Sequence, residues 1–167
     1  FTFTLGRGNE VVALCCHALA PFVVGREVAP LLECSRDFSM SLLNETQLRW
    51  IGPDKGVVHL AAAAIINAVW DMRAKCAGLP LWKYLASLSP ERLVAEVDFQ
   101  YLEDELTPAR ALEILRDAAP SRDARIKEME AEGFPCYTTS AGWLGYSDEK
   151  IKRLCREYMA LGYNAFK

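Results

Sequence analysis

Residues 57–77 read VVHLAAAAIINAVWDMRAKCA, and this stretch decides what kind of fold the chain can have. Alanine is the strongest helix former, so the run predicts one long helix, with Gly78 and Pro80 as its stop signal. Apolar residues lie on nearly every face of that helix, where a surface helix would carry a single stripe. It is therefore expected at the buried centre of a helical bundle, with His59 and Asn67 as polar groups satisfied against neighbouring helices.

Toward the amino terminus, a second helix is expected over 36–48, with Phe38, Leu42 and Leu43 facing inward. Before it, Asn9 is a suitable N-cap, Val11, Val12, Cys15, Ala18, Leu19 and Phe22 follow at helical spacing, and Gly25 ends the run. Residues 1–5, Phe-Thr-Phe-Thr-Leu, alternate with period two and predict the end of a strand that turns at Gly6-Arg7-Gly8. A chain that opens inside a strand is expected to lack that element's beginning.

Toward the carboxyl terminus the rhythm changes. Val97, Phe99 and Tyr101 alternate with Asp98 and Gln100, which predicts a strand over 94–101 with one wet face. Thr107 and Pro108 open a helix running to about Ala118, and a charged helix with a solvated face follows over 121–132, closed by Gly133 and Pro135. Residues 136–140 suit a short strand and 141–146 a loop. Ser147 caps a helix with Asp148 and Glu149 at the positive end of its dipole, and 163–167 begins another strand. Strand, helix, strand is the pattern of a right-handed parallel crossover, which needs paired neighbours on both edges and helices over its faces. The fold class expected is α+β: a helical domain with a remnant of a small sheet, then the opening of a parallel sheet or barrel that this chain does not complete.

Composition limits the function. Hydrophobic residues at 51% and charged residues at 25% are the balance of a chain that folds in water, and a net charge of −3 leaves no basic face for a phosphate backbone, so nucleic acid is not an expected partner. The apolar run 57–70 is broken by His59 and Asn67 and reads as too short to cross a bilayer, and the first residues lack the features of a targeting signal. The six cysteines (Cys15, Cys16, Cys34, Cys76, Cys136 and Cys155) show no repeated C-x-x-C spacing; they are expected to be buried, reduced thiols of an intracellular protein that is not secreted.

Three stretches carry a family resemblance: FTFTLGRGNEVV at 1–12, QLRWIGPDKGVVHLAAAAIINAVWDMRAKCAGLPLWKYL at 47–85, and YTTSAGWLGYSDEKIKRLC followed by GYNAFK at 137–155 and 162–167. Together they resemble the enolase superfamily, in its mandelate racemase group, and within it most closely the L-fuconate dehydratases, a branch with mitochondrial members in animals. The middle stretch also resembles the superfamily signature, an alanine-rich helix running into Asp71, Lys75, Pro80 and Leu85; Asn67 departs from it, standing where an acidic residue or glutamine is usual. The resemblance implies an enolase-like capping domain over residues 1–92, its first strands missing. A connecting strand and helices over 93–135 and the first strand-helix-strand of a truncated TIM-type (β/α) barrel over 136–167 would follow.

The activity implied is abstraction of the proton next to a sugar carboxylate and loss of water to a 2-keto-3-deoxy acid, with Mg²⁺ and cationic side chains stabilising the dianionic intermediate. By the same resemblance Lys167 is the first lysine of a Lys-x-Lys pair whose second member, the base, lies beyond the chain. The metal ligands would lie on later strands, so Mg²⁺ is expected in the parent protein and no metal in this chain, which alone should turn nothing over. Arg7, in its glycine-flanked loop, either reaches the substrate when the cap closes or is a surface charge. Ser140 and Trp143 would sit at the carboxyl end of the first barrel strand, where TIM barrels place their substrate-binding groups, though packing under the cap also accounts for Trp143. The expected partner is a small sugar acid, in a parent that could be a homo-oligomer, in the mitochondrion or cytoplasm, with no membrane. The alternatives are a racemase or another sugar-acid dehydratase of the superfamily, and, from a different class, a non-catalytic helical interaction module.

Overall fold

The structure is a computed structural model that describes residues 7–52 and 55–167; the strand expected at 1–5 lies outside the described residues. The chain divides into two units, residues 1–122 and 123–167.

The first unit is helical. Helices α1 (Asn9–Leu19), α2 (Ala29–Glu33) and α3 (Arg36–Leu43) precede the 20-residue α4 (Val57–Cys76), and α5 (Leu81–Ser87), α6 (Pro90–Glu96) and α7 (Pro108–Ala118) follow it. The core forms where α4 meets α1 and α3: Val12, Cys15 and Leu19 pack with Phe38 and Leu42 against Val58, Ala61, Ala62 and Val69. Ala61 and Ala62 are fully buried, and their small side chains let α1 approach closely enough for the Cys16 thiol to donate to the Ala61 carbonyl at 3.7 Å. Each large apolar side chain so enclosed contributes about 1.5–3 kcal/mol.

Several expectations need correction. The N-cap of α1 is Gly8, at φ 107°, and Asn9 is the first helical residue; Pro21, in a 3₁₀ turn, accompanies the end of this helix at Leu19, well before Gly25. Helix α3 stops at Leu43, short of residue 48. Asn67 is exposed on α4 and not enclosed by its neighbours, whereas His59 is half-buried and its Nδ1 accepts from the Lys55 backbone N–H at 3.1 Å. At its full length α4 is long and apolar enough to cross a bilayer, contrary to the expectation from 57–70, but Val58, Ala61, Ala62 and Val69 pack in one core with α1 and α3, and Ala74 packs with Tyr84 and Leu88.

The strand expected at 94–101 is absent. The Ser89 hydroxyl accepts from the Arg92 backbone N–H at 3.2 Å and Pro90 opens the first turn, so α6 carries the chain helically through Glu96. Beyond it Phe99 is buried and turns, not a ladder, follow: the Leu102 N–H donates to the Phe99 carbonyl at 2.8 Å. The alternation of Val97, Phe99 and Tyr101 thus comes from a turning segment with one side chain tucked inward.

A buried ion pair ties the helices together. The Arg73 side chain, on α4, is 0% exposed; its guanidinium donates to Glu96 of α6 at 2.5 Å, to the Tyr84 hydroxyl of α5 at 3.2 Å, to Ser35 Oγ at 3.3 Å and to the Glu33 carbonyl at 3.2 Å. Ser35 in turn gives both its hydroxyl and its backbone N–H to Glu96, each at 3.0 Å, and the guanidinium lies 4.3 Å above the Trp70 ring. Among the described residues no buried side-chain nitrogen or oxygen lacks a partner. Burying a charge costs several kcal/mol unless it is paired and hydrogen-bonded, a condition this cluster meets.

The second unit holds most of α8 (Arg122–Glu132) and all of α9 (Asp148–Ala160). The strands expected at 136–140 and 163–167 are reduced to one isolated parallel bridge, Thr138 to Phe166. Parallel pairing is weaker per residue than antiparallel, and two short segments alone do not sustain a ladder. All six cysteines are free, but only Cys15 is buried; Cys34, Cys76 and Cys136 are exposed, where burial was expected, because they stand at or beyond helix ends or in a connecting segment.

Candidate functional site

The site is built by the way α9 returns the chain. Gly133, at φ 72°, closes α8, and residues 134–138 lead to Thr138. Ser147 caps α9 by accepting from the Lys150 N–H at 3.3 Å, with Asp148 and Glu149 in the first turn. The Glu149 carboxyl is held below the usual glutamate range by its own backbone N–H and then by Ser147. Ile151, Leu154, Cys155 and Tyr158 are its half-buried residues, whereas Leu161 is exposed. At the far end Gly162 takes φ 94°, the Tyr163 N–H donates to the Tyr158 carbonyl at 3.1 Å, and the two rings meet edge to face at 5.5 Å. This corner sends residues 163–167 back beside 136–140 in the same direction.

The register is set by two backbone bonds. Thr138 N–H donates to the Ala165 carbonyl at 3.1 Å, and Lys167 N–H donates to the Thr138 carbonyl at 3.0 Å. In extended chain, alternate residues share a face, so Thr138 and Phe166 belong to one side and Tyr137, Thr139, Ala165 and Lys167 to the other. Burial follows this alternation on the first segment only: Thr138 is buried between exposed Tyr137 and Thr139, whereas the whole of 163–167, Phe166 at 38% included, is exposed.

Beyond Thr138 the chain turns. The Ser140 N–H donates to the Thr138 hydroxyl at 3.2 Å, Ala141 is buried, and the Tyr146 N–H donates to the Trp143 carbonyl at 3.1 Å. A Cβ placed on Gly142 would lie 3.5 Å from the Lys167 carbonyl oxygen, so the loop passes close to the end of the second segment. Trp143 is 57% exposed, and Lys150 Nζ lies 3.4 Å over the Tyr146 ring. Ser140, Trp143 and Lys167 are thereby gathered at the carboxyl ends of two parallel segments, the position from which parallel α/β folds present reactive groups. Arg7, exposed just before α1, belongs to the other unit. An open groove at the opposite end, lined by Gly133, Pro135, Cys136, Tyr163 and Asn164, is separate from this grouping.

Among the described residues no three His, Cys, Asp or Glu side chains converge on a point where a metal ion could sit, so the residues present do not form a magnesium site. Sequence reasoning passed over Thr138, although the Thr-x-Ser spacing before a glycine-containing loop was available as a turn signal. It also passed over the Arg73 cluster, whose guanidinium uses its donors within the fold.

No family model matches the chain. Individual proteins do: mitochondrial enolase superfamily member 1 from Bos taurus is 49% identical, and that from Homo sapiens 48%, each over 99% of this chain and 38% of the relative's length. A protein named L-galactonate dehydratase from Hypocrea jecorina is 44% identical over 99% of the chain and 37% of its own length. The crystal structure of human mitochondrial enolase superfamily member 1 superposes with a TM-score of 0.90 at 48% identity, covering 99% of this chain and 37% of that one. The chain thus spans somewhat more than a third of the curated relatives it matches, and across that span it is similar to proteins of the enolase superfamily.

Proposed function

We propose that this chain is part of a Mg²⁺-dependent sugar-acid dehydratase of the mandelate racemase group, to which it contributes capping helices and the opening elements of a (β/α) barrel. The observation that carries the reading is the parallel bridge between Thr138 and Phe166, which gathers Ser140, Trp143 and Lys167 at one end of the strand pair. In this proposal residues 1–92 belong to the cap, 93–135 connect, and 136–167 begin the barrel. Lys167 supports the substrate carboxylate and the base two positions further on, and Ser140 and Trp143 contact the sugar acid, with Arg7 a further contact from the cap.

The chemistry explains the residue types. A proton next to a carboxylate is very weakly acidic, so cationic groups must face the negative charge that develops when it leaves. Lys167 is a cation on the open face of the pair, and a hydroxyl such as that of Ser140 can donate to a carboxylate or sugar oxygen. Magnesium, when bound, would stabilise the enolate charge, and its ligands would have to come from outside the described residues. L-Galactonate and L-fuconate are the first substrates to test, the former because a relative carries that name and the latter because of the sequence resemblance. The mitochondrial names of the animal relatives support a mitochondrial location.

The test is dehydration of a panel of sugar acids by the whole protein containing this chain, with magnesium present, read as 2-keto-3-deoxy acid formed. Turnover of at least one six-carbon sugar acid, lost in Lys167→Met, is the expected result. Interconversion of stereoisomers without loss of water would replace the dehydratase reading by that of a racemase, and no reaction with any sugar acid would overturn it altogether.

A further inference from the structure

We infer that Thr138 is the positioning residue of this site: its hydroxyl sets the loop bearing Ser140 and Trp143, while its backbone sets Lys167. The inference rests on the reading of this strand end as a substrate-binding edge. Three interactions converge on the one residue. Its N–H reaches the Ala165 carbonyl, its carbonyl receives the Lys167 N–H, and its hydroxyl receives the Ser140 N–H at 3.2 Å.

The first two bonds are available to any residue with an N–H and a carbonyl. The third needs a hydroxyl or an equivalent short acceptor two positions before the N–H it receives. Thr138 is also the buried member of its segment, 7% exposed between exposed neighbours on both sides, so its hydroxyl works where water competes poorly for the Ser140 N–H. Among the described residues the Thr138–Phe166 bridge is the only pairing in this unit. Ser140 and Lys167 are therefore placed relative to each other through one residue that itself faces away from the substrate side.

Loss of the hydroxyl should act on the geometry of bound substrate more than on folding. Thr138→Val keeps the β-branched shape and both backbone bonds while removing the acceptor; Thr138→Ser keeps the acceptor and loses a methyl group. In the whole protein, the valine variant is expected to lower kcat/KM for the substrate found above by about ten- to a hundredfold, the size of effect that misplacement on the ångström scale produces. The serine variant should recover most of it. Hydrogen exchange of the peptide covering 138–146 gives a second readout: the Ser140 amide should exchange faster in Thr138→Val and return to parental protection in Thr138→Ser.

An active Thr138→Val enzyme with unchanged kcat/KM, or with unchanged Ser140 protection, would overturn the inference while leaving the dehydratase reading intact. So would an activity loss that serine does not rescue, since that would point to simple loss of fold. If the parental protein processes no sugar acid, the functional reading fails first and the role assigned to Thr138 falls with it, whatever the exchange data show about the loop.

Discussion

Arg73 sits in the long, alanine-rich helix α4, yet it is among the least exposed of the described residues, and its charge is met by Glu96, Ser35, Tyr84 and a main-chain carbonyl. Removing one member of such a cluster leaves the other charge buried without its partner. Arg73→Ala is therefore expected to destabilise the first unit by about 3–5 kcal/mol in urea unfolding. A loss below about 1 kcal/mol, the range of exposed ion pairs, would show that the pair is not held as described. The cysteines give a second residue-level prediction: Cys34, Cys76 and Cys136 are exposed and should react at once with a thiol reagent, whereas burial, and then Cys16 beside it, pushes the Cys15 thiol up, so Cys15 should react only on unfolding. The burial of Cys15 was readable from sequence; the Arg73 cluster was not, because Arg73 meets partners 23 and 38 positions away. Lys167, Ser140 and Trp143 were named through the family resemblance; the parallel bridge sets them toward the same end of two segments, and the roles given to them belong to the proposal.

Helix boundaries follow local chemistry closely, and the errors in reading them have specific causes. Thr107-Pro108 and Ser147 marked the starts of α7 and α9 correctly, because a hydroxyl that accepts from the third residue on is a local matter. Ser89-Pro90 is the same signal, and it outweighed the alternation of Val97, Phe99 and Tyr101 that suggested a strand. These termini are also where the first acidic effects should show. Glu91, at the start of α6, is held below the usual glutamate range by its own backbone N–H, then by Arg116 and Ser89; Glu149 is held down in the same way at α9. A carboxyl with a lowered folded-state value stabilises the folded form above its unfolded value, and that contribution disappears as pH falls through the folded value. The helical signal in circular dichroism should accordingly decline on acidification through and below the usual glutamate range, and more shallowly in Glu149→Gln; an identical acid profile would show that Glu149 does not support α9. Along α4, Ala62→Leu should cost about 1–3 kcal/mol through overpacking against α1, whereas Ala68→Leu, on the exposed face, should fall within about 0.5 kcal/mol of the parent.

The two units of the molecule differ in what holds them. Residues 1–122 enclose a core of apolar side chains around α4 and a buried charge cluster, while, among the described residues, 123–167 have most of α8, all of α9 and one parallel bridge, with Thr138 and Ala141 as their buried residues. Local opening is easiest where few buried contacts and few protected hydrogen bonds must be lost. A parallel segment is stable when it is paired on both edges and covered on both faces, conditions that one bridge does not meet. In the isolated 167-residue chain, hydrogen exchange is therefore expected to be slow at the central amides of α1 and α4 and fast at Thr138 and Lys167. The same measurement on the whole protein should find the last two slowed by orders of magnitude, because in the proposed barrel neighbouring strands would pair with both segments and exclude water from their faces. Equal protection of Thr138 and Lys167 in the two settings would mean that residues 123–167 are complete as they stand, and the barrel assignment would have to be abandoned.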